Sequence, residues 1–267
     1  FTYDGNGNKL SETDPDGNSI TFVYDGLGRV TSSTDKNSNT STFGYDACGN
    51  LTLVTDPDSN SDTFTFDAVS NNTSHTDRNG NLTSYQYDNL NRLISITNSK
   101  GGISSFTYDE NHNLLTESNP AGNTTTYVYD VLDRRTLVTD MAGNSNLYGY
   151  DERGNNISQT DPNGNVTTFT YDCCRLTELT DPHGNTEYYS YDPVGNLIAY
   201  TDKNGNSSSY TYDALNRMSL ETDALGNTSS YIYDCVGNQT SVTDRNGNTL
   251  QYSWDLLYRV DSIHGPG

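Results

Sequence analysis

One phrase governs this chain: an aromatic residue, any residue, a second aromatic and then Asp. The second aromatic and its Asp recur thirteen times, from Tyr3-Asp4 to Trp254-Asp255, at a spacing of 21 residues throughout except for 20 between Tyr171 and Tyr191. A period of this length, sustained from end to end, implies a repeat architecture in which each unit contacts its neighbours instead of a single globular core. The expected fold is all-β: a single array of thirteen antiparallel β-hairpin repeats over residues 1–267, forming the wall of a tube or shell.

The two aromatic columns are Phe22 and Tyr24, Phe43 and Tyr45, Phe64 and Phe66, Tyr85 and Tyr87, Phe106 and Tyr108, Tyr127 and Tyr129, Tyr148 and Tyr150, Phe169 and Tyr171, Tyr189 and Tyr191, Tyr210 and Tyr212, Tyr231 and Tyr233, and Tyr252 and Trp254, preceded by Phe1 and Tyr3. They hold 26 of the 29 aromatic residues, so nearly all the ring surface obeys one rule. Residues two apart on a strand share a face. Each repeat therefore places two rings on one side of a sheet and Thr or Ser, such as Thr21, Thr42 and Thr63, on the other. The expectation is a structural aromatic ladder in which rings stack from hairpin to hairpin.

Between the aromatic phrases lies a second one, as in "TDPDGN" (13–18), "TDRNGN" (76–81) and "TDKNGN" (201–206). Asp, Asn, Pro and Gly in this order supply the side-chain bonds and positive φ angles of tight turns. The aromatic phrase also ends in turn chemistry, so each repeat reads strand, turn, strand, turn. The turn after the aromatic pair ends in Asn (Asn50, Asn155, Asn196, Asn238) or in Arg (Arg29, Arg92, Arg134, Arg175, Arg217, Arg259), and from Arg92 onward the two alternate strictly. This predicts a two-repeat unit of about 42 residues.

Composition narrows the partners. Leu, Ile, Val and Phe together number 48 of 267 residues, which by itself suggests disorder, but 21 Tyr in fixed register can build a sheet where aliphatic residues are scarce. The net charge of -21, from 14 cationic and 35 acidic residues, argues against nucleic acid or an acidic membrane surface as a partner. No apolar run approaches the ~20 residues that a membrane-spanning helix needs, so membrane insertion by helices is not expected. The chain begins in mid-repeat, which suggests a segment of a longer chain or fibre.

Tyr-Asp followed by x-x-Gly-Asn or x-x-Gly-Arg, the Thr-Asp-x-x-Gly-Asn turn and the 21-residue period resemble the YD repeats of the RHS family over essentially the whole chain. In that family such repeats form β-hairpin ribbons that spiral into hollow shells, enclosing a toxic C-terminal domain in secreted bacterial toxins and supporting adhesion in related cell-surface proteins. The resemblance implies an extracellular, non-catalytic scaffold, with a toxin-encapsulating cocoon segment as an alternative. The family's closing core segment and paired Asp-Pro-x-Gly self-cleavage motif are not visible before "RVDSIHGPG". A carbohydrate-binding or adhesion module is the other alternative, with exposed Tyr and turn Asn or Asp meeting cell-surface glycans; further copies of the chain are the remaining expected partner.

No catalytic, cofactor or metal site is expected. Asp14 with Asp16 and Asp56 with Asp58 offer the alternating carboxylates of a calcium loop, but turn formation accounts for them and for the Asn, His or Ala at the equivalent position elsewhere. His75, His112, His183 and His264 are scattered over separate repeats, with no nucleophile paired to them in the sequence. Cys48, Cys173, Cys174 and Cys235 all follow an aromatic-Asp pair within two residues, and the vicinal Cys173-Cys174 coincides with the shortened repeat. A disulfide from Cys173 or Cys174 to Cys235 requires their Cα atoms to lie within ~7 Å. Eleven Asn-x-Ser/Thr sequons, Asn81 and Asn165 among them, arise wherever a Gly-Asn turn meets a Thr-rich strand, and mark surface turns.

Overall fold

The computed structural model describes residues 1–265. Among them lie 26 β-strands and no helix, β1 (Thr2–Tyr3) through β26 (Val260–His264). No helix is therefore long and apolar enough to cross a membrane among the described residues. Among the described residues two compact units are present, residues 1–128 with 139–143 and residues 129–138 with those from 144 onward.

In the first unit, β3 (Ser19–Tyr24), β4 (Val30–Thr34) and β5 (Thr40–Tyr45) show the local plan. Strands pair antiparallel with their neighbours in sequence: Thr21 faces Thr34, Phe22 faces Ser33, and then Ser32 faces Thr42. The second unit repeats this with β19 (Thr186–Tyr191), β20 (Leu197–Thr201) and β21 (Ser207–Tyr212). There Tyr189 faces Tyr200 and Ala199 faces Ser209.

The aromatic strands carry a fixed irregularity. Val23 faces Ser32 but Tyr24 faces Val30, so Thr31 is an extra residue. The same shift occurs at Tyr45, Tyr108, Tyr150, Tyr191, Tyr212 and Tyr233. A bulge of this kind re-aims side chains locally. Here it lies beside the Tyr-Asp turn in repeat after repeat and restarts the register of the next strand.

None of the described hydrophobic residues is buried; Thr125 and Ser229 are, each still 8% exposed. Phe22, Tyr24 and Ile20 on one face of β3 are half-buried, whereas Thr21 and Val23 on the other are exposed. On the exposed face, hydroxyl pairs such as Thr34 with Thr40 (2.8 Å), Thr107 with Thr116 (2.6 Å) and Thr201 with Ser207 (2.8 Å) join adjacent strands. Cross-strand hydroxyl pairs of this kind contribute a few tenths of a kcal/mol each, up to about 1 kcal/mol.

Candidate functional site

In each unit the Tyr-Asp turns line one rim of the sheet and the Thr-Asp turns the other. Both turn types use one mechanism. In the first, the Gly28 N–H donates to the Asp25 carbonyl and the Asp25 N–H to the Arg29 carbonyl, both within 3.0 Å. The Asp25 Oδ1 atom accepts from the N–H groups of Leu27 and Arg29, and Oδ2 accepts from Arg29 Nε at 2.7 Å. In the second type, Asp77 accepts in the same way from Asn79, Asn81 and the Asn81 amide. The third residue after the Asp sits in the left-handed region: Gly49 at φ 96°, Asn91 at 61° and Tyr258 at 59°. This is a hairpin loop of three residues closed by an Asp cap, and it dictates the Asp-x-x-Gly-Asn spacing.

These bonds stabilise the charged carboxylates. The Asn50 amide holds the Asp46 carboxyl below the usual range, and Arg29 does the same for Asp25. Asp14 is lowered to about 2, first by the hydrogen bond from Lys36 and then by the Asn18 N–H. Asp181 is lowered too, by the Asn185 amide ahead of Lys203. Asp14 and Asp56, the carboxylates of the calcium alternative, accept from Lys36 and Arg78 of the following Thr-Asp loops as well as from their own loops. No group of three or more metal-ligating side chains is gathered among the described residues.

The rings of the ladder occupy alternate strands, so successive rings lie two strand spacings, ~9.6 Å, apart. They are interleaved instead of stacked ring on ring. The ring contacts of Phe64 with His75 (4.6 Å) and of Tyr189 with Tyr200 (5.2 Å) run to the intervening strand. More general is a guanidinium filling: Arg29 lies over Tyr45 at 4.6 Å, Arg92 over Tyr108 at 4.9 Å, Arg134 over Tyr150 at 4.8 Å, Arg175 over Tyr191 at 5.3 Å and Arg217 over Tyr233 at 4.6 Å. Each of these Arg residues also donates through Nη1 to the carbonyl of the next Tyr-Asp loop, at Asp46, Asp109, Asp151, Asp192 and Asp234.

The Asn-type turns respond in kind. Asn71 donates to Asn91 Oδ1 and Asn196 to Asn216 Oδ1, both at 3.0 Å, and Asn155 donates to the Cys173 carbonyl at 2.8 Å. An Arg turn thus clamps the following Asn turn, and an Asn turn holds the left-handed residue of the following Arg turn. This is the physical content of the two-repeat rhythm. Its sequence signal is an Arg sixteen residues before a Tyr, preserved even across the shortened repeat between Arg175 and Tyr191.

The tyrosine hydroxyls form a second unforeseen network. Tyr24 donates to the Lys9 carbonyl, Tyr45 to Val30, Tyr108 to Leu93, Tyr212 to Leu197 and Tyr233 to Met218, all at 2.9–3.0 Å, and Trp254 Nε1 donates to Gln239 in the same way. The acceptor is always the residue fifteen back. It lies just beyond the last ladder pair with that strand, as Val30 lies beyond the Ser32–Thr42 pair. The bulge moves this carbonyl off the ladder, and the ring of the next repeat satisfies it. Tyr189, in the first aromatic column, stands outside this network: its hydroxyl donates to Glu187 at 2.6 Å, and burial together with that carboxylate raises its pKa.

The shortened loop joins Asp172 directly to Arg175 through Cys173, at φ 60°, and Cys174. Arg153 contacts the Cys173 sulfur at 3.2 Å. Cys48, Cys173, Cys174 and Cys235 are all exposed, unbridged thiols. His75 bonds Asp62, which also receives Arg78, whereas His183 sits at an exposed Thr-Asp turn.

Comparison with known proteins agrees with this geometry. The teneurin YD-shell family model matches residues 68–261, and the RHS repeat model matches 3–40 and 24–61. No curated protein sequence matches the chain. The crystal structure of TcdB2-TccC3 matches 93% of this chain at 18% identity with a TM-score of 0.65, and that of TcdB2-TccC3 without its hypervariable C-terminal region matches 97% at 18% identity with a TM-score of 0.54. The chain spans 16% and 17% of the length of those two structures, and the likeness is one of fold.

Proposed function

Given that the chain belongs to the teneurin YD-shell family of RHS-type repeats, we propose that it is a non-catalytic, extracellular scaffold whose thirteen repeats form one continuous stretch of shell wall. The observation that carries this reading is the clamp of each Arg turn onto the next Tyr-Asp loop, typified by Arg217 on Tyr233 and on the Asp234 carbonyl. Contacts of this kind spend the most polar side chains of the repeat on its neighbour, and so make the array's stability a nearest-neighbour property. A wall needs that coherence along its length.

The use of tyrosine hydroxyls by backbone carbonyls favours the wall over glycan binding, since a sugar would compete for donors already engaged at Tyr45 and Tyr108. Enclosure of a toxic domain, as in secreted toxins of this type, is the more specialised form of the same role. Electron microscopy of the purified chain tests the proposal: a wall one sheet thick is expected, and a compact globule overturns it. A glycan array with strong, saturable hits overturns the preference for scaffold over adhesion.

A further inference from the structure

The two rims of the sheet differ in chemistry, and the difference is not needed for turn formation. Along the Thr-Asp rim of the second unit, the loop tips carry Pro182, His183, Lys203, Asn204 and Arg245. Lys203 reaches back to Asp181 (3.1 Å), and Arg245 to Asp223 (3.5 Å) and to Glu221 on the strand before it (2.8 Å), so this rim is laced by ion pairs between consecutive loops. Leu225, with Ala224 beside it, and Pro182 are its apolar tips, on loops separated by the charged Lys203.

Along the Tyr-Asp rim from Asp192 onward the polar groups point inward, into the Asp caps and Arg clamps, and the tips are apolar, whereas an earlier loop of the same rim carries the exposed Glu152 and Arg153. Val194, Leu215, Val236, Leu256, Leu257 and Tyr258 stand on four consecutive loops, from 61% exposed at Val236 to 98% at Leu256. Exposed apolar residues are ordinary when scattered, but a contiguous row calls for a cover. At roughly 100 Å² of apolar surface for each exposed Val or Leu, these six offer about 600 Å², and the adjacent, exposed Pro193 and Ala214 bring the patch near the ~800 Å² that each partner gives a standard interface.

We infer that this rim, from Pro193 to Tyr258, docks against the same rim of a second copy of the chain. The Thr-Asp rim is a poor partner, because covering it would strip water from Lys203–Asp181 and Arg245–Glu221 with only apolar tips in return. Four consecutive loops with apolar tips can meet the same four loops of a second copy, which is the requirement of a twofold contact. Its loops repeat every ~9.6 Å, twice the strand spacing, which leaves a gap one strand wide between tips for those of the partner. The inference rests on the wall reading and adds to it which edge of the wall is an adhesive seam.

The test is the association state of the whole chain by analytical ultracentrifugation, with circular dichroism alongside. A dimer is expected, weakened at least 100-fold in Leu215→Asp/Val236→Asp and unchanged in Leu225→Asp on the opposite rim. Cys235, beside Val236 on the same rim, reports independently: with Cys48, Cys173 and Cys174 replaced by Ser, a short bismaleimide should cross-link two copies through it, and should not do so once the double substitution is added. A monomer at all concentrations that keeps its strand signal overturns the seam and leaves the wall standing. Loss of dimer in Leu225→Asp, or a dimer indifferent to the double substitution, also overturns the seam; absence of strand signal in the wild type overturns the wall with it.

Discussion

Arg92 lies with its guanidinium 4.9 Å from the centre of the Tyr108 ring while donating at 2.7 Å to the backbone carbonyl of Asp109. One side chain thus binds both the ring and the loop of the following repeat. Its Nε bond to Asp88 anchors it in its own repeat. Lys could supply the charge but not the planar stacking or the divided set of donors.

Replacing Arg92 or Arg217 by Lys is expected to cost about 1–2 kcal/mol, the sum of a cation–π contact and a hydrogen bond. Arg259, in the last repeat, bonds Asp255 of its own loop and is 72% exposed, so the same change there should cost far less. Urea unfolding midpoints of the three variants check this; equal losses at Arg92 and Arg259 would show that the clamp contributes nothing.

Tyr108→Phe keeps the ring and removes the donor to the Leu93 carbonyl. The expected loss is about 1 kcal/mol. Because Tyr45 and Tyr212 serve distant repeats, the triple Phe variant should lose the sum of the three single changes. Denaturant titration of the single and triple variants measures additivity directly.

Acid should unfold the chain over a narrow range. The turn carboxyls, Asp46, Asp77, Asp181 and Asp244 among them, are lowered in the fold below the ordinary 3.8. A lowered folded value gives stability that is present above the unfolded value and lost as pH falls through the folded one. The window is pH 4 down to about 2 at Asp14. Relief of the -21 net charge works in the opposite sense, but the lowered values show that folding favours the ionised carboxylates. Asp14→Asn should be less stable than wild type at pH 7 and converge with it near pH 2, as read by fluorescence-monitored unfolding.

Gly154, in an Asn-type turn at φ 93°, has no atom within 4 Å of where a Cβ would stand. Gly154→Ala should therefore cost about 1–2 kcal/mol through backbone conformation alone. Ser38 already tolerates φ 66°, and Ser38→Gly should change stability by less than about 0.5 kcal/mol. Thermal unfolding of the pair separates conformational strain from packing.

The sequence by itself determined the strands, the turns and their order. Alternation of Phe22 and Tyr24 with Thr and Val fixes which residues share a face, and Asp25 with Gly28 fixes the loop, because both are local properties of a few consecutive residues. The alternation of Arg and Asn at the turn ends was legible too, as a rhythm without a cause. Tertiary structure alone decided what lies between the rings. The bulge at Thr31 shifts the register by one residue, and only that shift brings the Val30 carbonyl to the Tyr45 hydroxyl and places Arg29 over the same ring. Such contacts join residues fifteen to seventeen positions apart on strands that are not hydrogen-bonded neighbours at that point. Their geometry depends on how adjacent ladders are offset, a quantity that no single strand's pattern contains.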